Sequence, residues 1–265
     1  MDLGRADFSP RAWQCLTMDA SDGSSAGSFV DLSIPLAESI ARWEVTFESV
    51  PSTFCHQASR ITLPVHVGTH LDAPLHYIAG GASVDQFPLE LAVCRAVVAD
   101  LTHIDKNQAI DQADLEALGL EDIGEAILLR TDWDLRWWGT PAFWEDAPYL
   151  TGRAATWLTT RGVRIVGYDF PQEYAIRNIA KGKARLEDFV VHLELLGKGI
   201  WQLEYLANLH RLGTDRATLL ICPLPLVGLE ASPVRVLGVP CIRCGEIELD
   251  TETSHTNRTR GESSW

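Results

Sequence analysis

The stretch His66-Val67-Gly68-Thr69-His70-Leu71-Asp72-Ala73-Pro74-Leu75-His76-Tyr77 sets three histidines and an aspartate in the pattern H-x-x-x-H-x-D-x-x-x-H, with a glycine and a proline that oppose a helix. Neutral imidazole nitrogen and carboxylate oxygen are the donors that a divalent cation such as Zn²⁺ takes at roughly 2.0–2.2 Å, and three protein ligands leave a position open for water. The approach Ile61-Thr62-Leu63-Pro64-Val65 is β-branched and proline-bearing, so it reads as an edge or irregular strand. On a continued strand residues 66, 68, 70 and 72 share a face, yet positions four apart lie roughly 13 Å from each other at about 3.3 Å per residue. Two imidazoles reach one ion only if the chain bends between them. Gly68 permits that bend, because a residue without Cβ adopts φ > 0, and it leaves room beside the ion for water or substrate. Pro74 drives Ala73 toward an extended conformation and separates His76 from the ligand set, free for proton transfer. A lone histidine is ordinarily a surface or core residue; here three of the chain's eight fall within the span 66–76, which favours a metal site.

Outward from this motif, 265 residues suffice for one sizeable core, and no interior Pro/Gly/Ser-rich linker divides the chain, so one domain is expected. Hydrophobic residues make up 46% and charged residues 22%, a globular balance, and no apolar run of about eighteen residues offers a membrane span. The start Met1-Asp2-Leu3-Gly4-Arg5-Ala6-Asp7 lacks the apolar stretch of a secretory signal, so a cytoplasmic location is expected. A net charge of −14 repels phosphate backbones and argues against a nucleic-acid partner. The six cysteines, at 15, 55, 94, 222, 241 and 244, are scattered and read as reduced thiols. A single Cys241-Ile242-Arg243-Cys244 pair without a second one makes a zinc ribbon a poor reading.

Residues 1–28 are polar, small and aperiodic and read as a flexible arm; residues 249–265 read the same way, leaving 29–248 as the folded domain. Within it, strands are predicted at 29–34, 96–101, 126–131, 163–167, 217–222 and 234–238. Helices are predicted at 111–118 and from a Thr151 cap toward Thr160, with Gly162 just past the end. The fold class is α/β, a single domain with mixed β-sheets and flanking helices, because several strands follow one another without an intervening helix. Four of the nine tryptophans crowd into 133–144, where turn residues replace a helical period; core packing is the commoner use of such rings, a substrate pocket the rarer one.

The motif resembles that of the cyclase family of metal-dependent hydrolases, which includes bacterial kynurenine formamidases and isatin hydrolases. A second element of that family, a histidine followed twelve positions later by a glutamate, is matched by His192 and Glu204, and similar segments extend over about 29–238. The resemblance implies that His66, His70 and Asp72 bind a first metal, that Asp72, His192 and Glu204 bind a second where two ions are held, and that His76 is the general base. It further implies a swivelling β/β/α-type core and a homodimer or higher homo-oligomer. Zn²⁺ is the first expectation for the ion and Mn²⁺ the alternative, since imidazole and carboxylate accept both. The implied substrate is a small amide, lactam or lactone, with cyclic or aryl amides ahead of linear formamides.

One departure bears on the substrate. Formamidase relatives carry a serine and a further aspartate soon after the aspartate matching Asp169, where this chain reads Asp169-Phe170-Pro171-Gln172-Glu173-Tyr174. Loops beside a motif shape specificity, and Phe47, Phe54 and Trp133 are the candidates to face an apolar or aromatic substrate. Two alternatives stand beside amide hydrolysis: lactone hydrolysis or cyclisation by the same machinery, and a non-catalytic protein that holds a carboxylate on its metal.

Overall fold

The apolar runs of the sequence become the staves of a closed sheet. The structure, a computed structural model, describes residues 29–40, 42–51, 56–213 and 215–241. The expected arm at 1–28, the tail at 249–265, Phe54 and Cys244 lie outside these residues. Among them the strands are β1 (Val30–Asp31), β2 (Thr46–Ser49), β3 (Ser59–Thr62), β4 (His70–Asp72), β5 (Val93–Asp100), β6 (Ala109–Ile110), β7 (Ala126–Arg130), β8 (Tyr149–Leu150), β9 (Ile165–Tyr168), β10 (Trp201–Glu204), β11 (Arg216–Pro223) and β12 (Ala231–Pro240). The helices are α1 (Gln112–Ala117), α2 (Trp133–Trp137), α3 (Ala142–Glu145), α4 (Gly152–Thr159), α5 (Ile176–Ile179) and α6 (Val190–Gly197).

The large sheet runs β1-β12-β11-β5-β7-β9-β10-β4, and β4 also pairs with β12, which closes a ring. β5, β7, β9 and β10 are mutually parallel, while the pairings β11–β5, β11–β12, β12–β4 and β4–β10 are antiparallel, so the expected mixed α/β architecture is present. Burial follows pairing. β9 and β10 are buried at every position, as parallel strands covered on both faces are, whereas β11 alternates buried and half-buried residues along most of its length. Leu71, Ala96, Leu128, Ile165, Leu203, Leu219 and Val236, one from each strand of the ring, meet in a single apolar cluster that fills its interior. The opposite faces of β5, β7 and β9 present Val97, Ile127 and Val166 to a second cluster, which Leu115 of α1, Leu158 of α4 and Val191 and Leu195 of α6 complete from outside.

Most predicted elements stand where the patterning put them. Thr151 caps α4 by accepting from the Ala154 amide, and Asp111 opens α1 in a capping box with Asp114. Asp169, fully buried at the end of β9, accepts from the amides of Thr131 and Asp132 and so ties it to the end of β7. Three expectations are corrected. The strand leading to the motif is β3, which among the described residues pairs with β2 alone in an exposed ribbon and stops at Thr62, so residues 63–69 are irregular and, of the four same-face positions expected, His70 and Asp72 share a strand face. The tryptophan-rich segment is not turn alone but two short helices, α2 and α3, separated by Gly139 at φ 78°. The strand expected at 29–34 contracts to the two residues of β1.

Gly167 shows how tightly the ring is filled: a Cβ built there would stand 2.7 Å from both Leu128 Cδ2 and Leu206 Cδ1. Gly167→Ala is therefore expected to lower the unfolding free energy by about 1–3 kcal/mol through overpacking, read as a reduced urea midpoint.

Candidate metal centre

The site lies on the outer face of the ring, where β4 pairs with β10. Side chains alternate along a strand, so with Leu71 pointing into the interior, His70 and Asp72 share the other face. The antiparallel register sets His70 opposite Glu204 and Asp72 opposite Gln202. His66 enters from the turn before β4, His76 from the 3-10 turn Pro74–His76 after it, and His192 from α6. The expected bend at Gly68 is present, at φ 55°. The space beside it is taken by Leu36, whose Cδ2 would lie 2.8 Å from an added Cβ, so that room serves packing rather than water or substrate.

Asp72, with no exposed surface, is the hub. Its Oδ1 lies 2.9 Å from His66 Nδ1 and 3.2 Å from His70 Nε2; its Oδ2 lies 3.7 Å from His192 Nε2 and 3.9 Å from His76 Nε2. Glu204 approaches His70 Nε2 at 3.5 Å through Oε2 and His192 Nε2 at 3.0 Å through Oε1. Among the described residues, two groups offer ligand atoms within 4.8 Å of one another: His66, Asp72 and His76, and His70, Asp72 and Glu204. His76 is thus not separated from the ligand set as the sequence suggested. Pro74 opens a 3-10 turn that curls the chain back, and the His76 ring stacks 4.1 Å from that of His66.

Hydrogen bonding settles which nitrogens are offered. The Gly68 carbonyl accepts from His70 Nδ1 at 2.8 Å, and Glu173 Oε1 accepts from His192 Nδ1 at 3.2 Å, so each ring turns Nε2 toward the carboxylates. Glu173 also accepts from the amides of Val191 and His192, pinning the first turn of α6. His66 Nε2, His70 Nε2 and both oxygens of Asp72 are buried without a hydrogen-bond partner. Buried polar atoms are normally satisfied; His66 Nε2 faces Glu230 Oε1 at 3.5 Å, while the orphaned His70 Nε2 and Asp72 oxygens, with His66 Nδ1 2.9 Å from Asp72 Oδ1, are donors of the kind a divalent cation takes.

The protonation pattern agrees. Burial works against charge on His70, yet the Asp72 and Glu204 carboxylates outweigh it and hold the imidazole above its ordinary value. Burial equally opposes charge on Glu204, and the neighbouring Asp72 adds to that, but His192 and His70 carry it down to about 2. His76 goes the other way: burial pushes it down to about 4 against the pull of Asp72, leaving a neutral base at pH 7.

Of the candidates for substrate contact, Phe47 stands on the exposed β2–β3 ribbon and Phe54 is outside the described residues. Trp133 is fully buried, its indole N–H donating to the Phe143 carbonyl, so it serves the core and not a pocket surface. Other rings flank the cluster: Tyr77 lies 4.5 Å from the His76 ring and 4.6 Å from the His192 ring. The Tyr205 ring lies 5.4 Å from that of His70 and meets Trp144 at 5.1 Å and Trp43 at 5.8 Å. Sequence reasoning missed Tyr205, Trp43 and Glu173. The departure at 169–174 was the one signal for Glu173.

Comparison with known proteins gives a consistent result. A family model described as "Putative cyclase" matches residues 30–172, more than half of the chain. A kynurenine formamidase of Bacillus cereus is 28% identical over 220 residues, 80% of this chain and 97% of that protein. Isatin hydrolase A from Ralstonia solanacearum superimposes with a TM-score of 0.67 at 28% identity, covering 80% of this chain and 91% of that one. A structure described as a potential metal-dependent hydrolase with cyclase activity gives a TM-score of 0.64 at 29% identity over 80% of this chain and 98% of its own.

Because His70 holds its proton above the ordinary value, a cation entering here must displace it. Zn²⁺ titrations near pH 6.5 in buffers of different ionisation enthalpy are expected to show proton release, with affinity rising as pH increases. Binding without proton release would contradict this electrostatic picture.

Proposed function

The chain belongs to the cyclase family, and we propose that it is a metal-dependent amidohydrolase that opens a small cyclic or aryl amide. The observation that carries this is the fully buried Asp72, whose oxygens have no hydrogen-bond partner and whose Oδ1 lies 2.9 Å from His66 Nδ1 and 3.2 Å from His70 Nε2. These three residues would hold a divalent cation, Zn²⁺ or Mn²⁺. Such an ion, when bound, lowers the pKa of water toward neutrality and polarises a carbonyl oxygen.

The chain's own groups do the rest. His76 is one-quarter exposed, neutral at pH 7 and on the Oδ2 side of Asp72, so its Nε2 can take the proton of the attacking water and return it to the departing amine nitrogen. The half-buried Trp43 and Trp144, packed on the buried Tyr205 ring beside His70, offer flat apolar surface to an aromatic ring. Arg42, whose guanidinium lies 4.3 Å above the Trp144 ring, sets a positive charge at the edge of that surface, suited to a carboxylate on the substrate or product. The relatives named kynurenine formamidase and isatin hydrolase support an aryl amide as the substrate class. Similarity over 80% of the chain also supports treating 29–248 as one hydrolase domain. A cytoplasmic homodimer or higher homo-oligomer belongs to the same proposal.

A panel of isatin, N-formylkynurenine and lactones at saturating metal tests the reaction: turnover is expected on an aryl amide and absent from chelator-treated protein. Lactone turnover alone would move the substrate class, and tight binding of aromatic carboxylates without product would remove the enzyme. His76→Ala is expected to keep its ion by elemental analysis while kcat falls about 10²–10⁴-fold. His70→Ala is expected to lose the ion. Loss of the ion from His76→Ala would make that residue a ligand instead of a base.

A further inference from the structure

The cluster around Asp72 has two unlike halves. On one side His70 Nε2 and both Asp72 oxygens lack hydrogen-bond partners, and His66 Nδ1 lies 2.9 Å from Asp72 Oδ1. On the other, His192 Nε2 and Glu204 Oε1 lie 3.0 Å apart and are both already engaged by a residue outside the motif. The Gln172 side-chain amide donates to Glu204 Oε1 in a short hydrogen bond, and its nitrogen is 3.3 Å from His192 Nε2. We propose that this amide fills the place between His192 and Glu204 that a second cation would need, so that the centre holds one ion per chain.

The amide orientation follows from the partners. A carboxylate only accepts, so the NH₂ end and not the carbonyl must face Glu204. When the His192 ring is charged, Nε2–H donates to Glu204; when it is neutral, the second amide hydrogen can serve the Nε2 lone pair. In either state Glu204 Oε1 and His192 Nε2 face N–H hydrogens and not a vacant space between them. Gln172 is held through its backbone and its amide nitrogen, while its Oε1 is buried without a partner. It has no exposed surface, its backbone carbonyl accepts from the Leu150 amide at 2.9 Å, and its side-chain nitrogen also reaches Gln202 Oε1 at 3.5 Å. That same Gln202 oxygen accepts from the Tyr168 hydroxyl at 2.9 Å. A cation in this half would meet N–H hydrogens, which repel it, and would strip a buried amide of its acceptors. His192 and Glu204 then act as positioning residues, orienting Asp72 and His70 rather than completing a second site.

The proposal rests on the assignment of His66, His70 and Asp72 to a cation, and metal counting separates the two. Full-length protein is stripped with chelator, reloaded with Zn²⁺, desalted and assayed for zinc per chain by mass spectrometry, with calorimetric titration as a second readout. One equivalent is expected. Two equivalents would overturn the role of Gln172, whereas none would overturn the metal centre itself. His192→Ala is expected to retain its single ion, and loss of that ion would make His192 a ligand of the first site and sink the proposal. Gln172→Ser, which removes the amide and opens space, is expected to gain a second equivalent that Gln172→Ser combined with His192→Ala does not. A folded Gln172→Ser protein that still takes one ion would refute the inference.

Discussion

The Asp72 carboxylate, fully buried among imidazoles, is the constraint around which the rest is arranged. An isolated carboxylate in a protein interior carries an effective desolvation penalty of several kcal/mol, so it persists only where positive charge or a cation answers it. His66 at 2.9 Å and His70 at 3.2 Å are placed to do this, and they hold Asp72 ionised well below the usual carboxylate range despite its burial. The strand that carries Asp72 is also the one that closes the ring. β4 is only three residues long, yet it pairs with β10 on one edge and β12 on the other. Opening the barrel and dismantling the site are therefore the same event, which accounts for how three residues hold a ligand set without a helix or long strand beneath them.

What could be read from the sequence is local. The H-x-x-x-H-x-D-x-x-x-H spacing brings its four side chains together because the bend it requires is supplied inside the motif by Gly68 at φ 55°. The Thr151 cap and the buried run into β9 were legible for the same reason: each depends on neighbours within a few residues. His192 was not legible from pattern alone. The segment Val190–Gly197 is apolar nearly all round, so it carries no amphipathic period to announce a helix, although only the face of Val191, His192, Leu195 and Leu196 is buried. Glu204 depends on a register that pairs it with His70 across 134 residues of chain, and periodicity holds no information about register between distant strands.

The orienting groups were harder still, because they act through atoms that any residue possesses or through residues with no motif of their own. His70 is turned by a backbone carbonyl, that of Gly68. His192 is turned by Glu173, nineteen residues earlier, whose carboxylate also takes the amides of Val191 and His192 at the start of α6. One buried carboxylate thus satisfies orphan donors of a helix end and sets the tautomer of a histidine on that helix. The substitution pattern at 169–174 marked this region as unlike the formamidases, but only the three-dimensional contacts say what Gln172 and Glu173 do.

Tyr205 shows the same logic carried into the backbone. A bulky residue at φ 55° is unfavourable by about 1–3 kcal/mol, and such a conformation survives only where its surroundings enforce it. Here the Tyr205 carbonyl accepts from the Thr69 hydroxyl at 2.7 Å, that hydroxyl oxygen in turn accepts from the Ile34 amide at 2.8 Å, and the Leu206 amide is bound by the Tyr168 carbonyl at 2.7 Å. Thr69 is the neighbour of His70, so the residue that holds the strained turn after Glu204 also precedes a central imidazole in the chain. The turn ends β10 immediately after Glu204, leaving that carboxylate on the cluster face, and brings the tyrosine ring against His70 and the tryptophans. Strain placed at this junction is what lets one short strand end serve both the charged cluster and the apolar wall beside it.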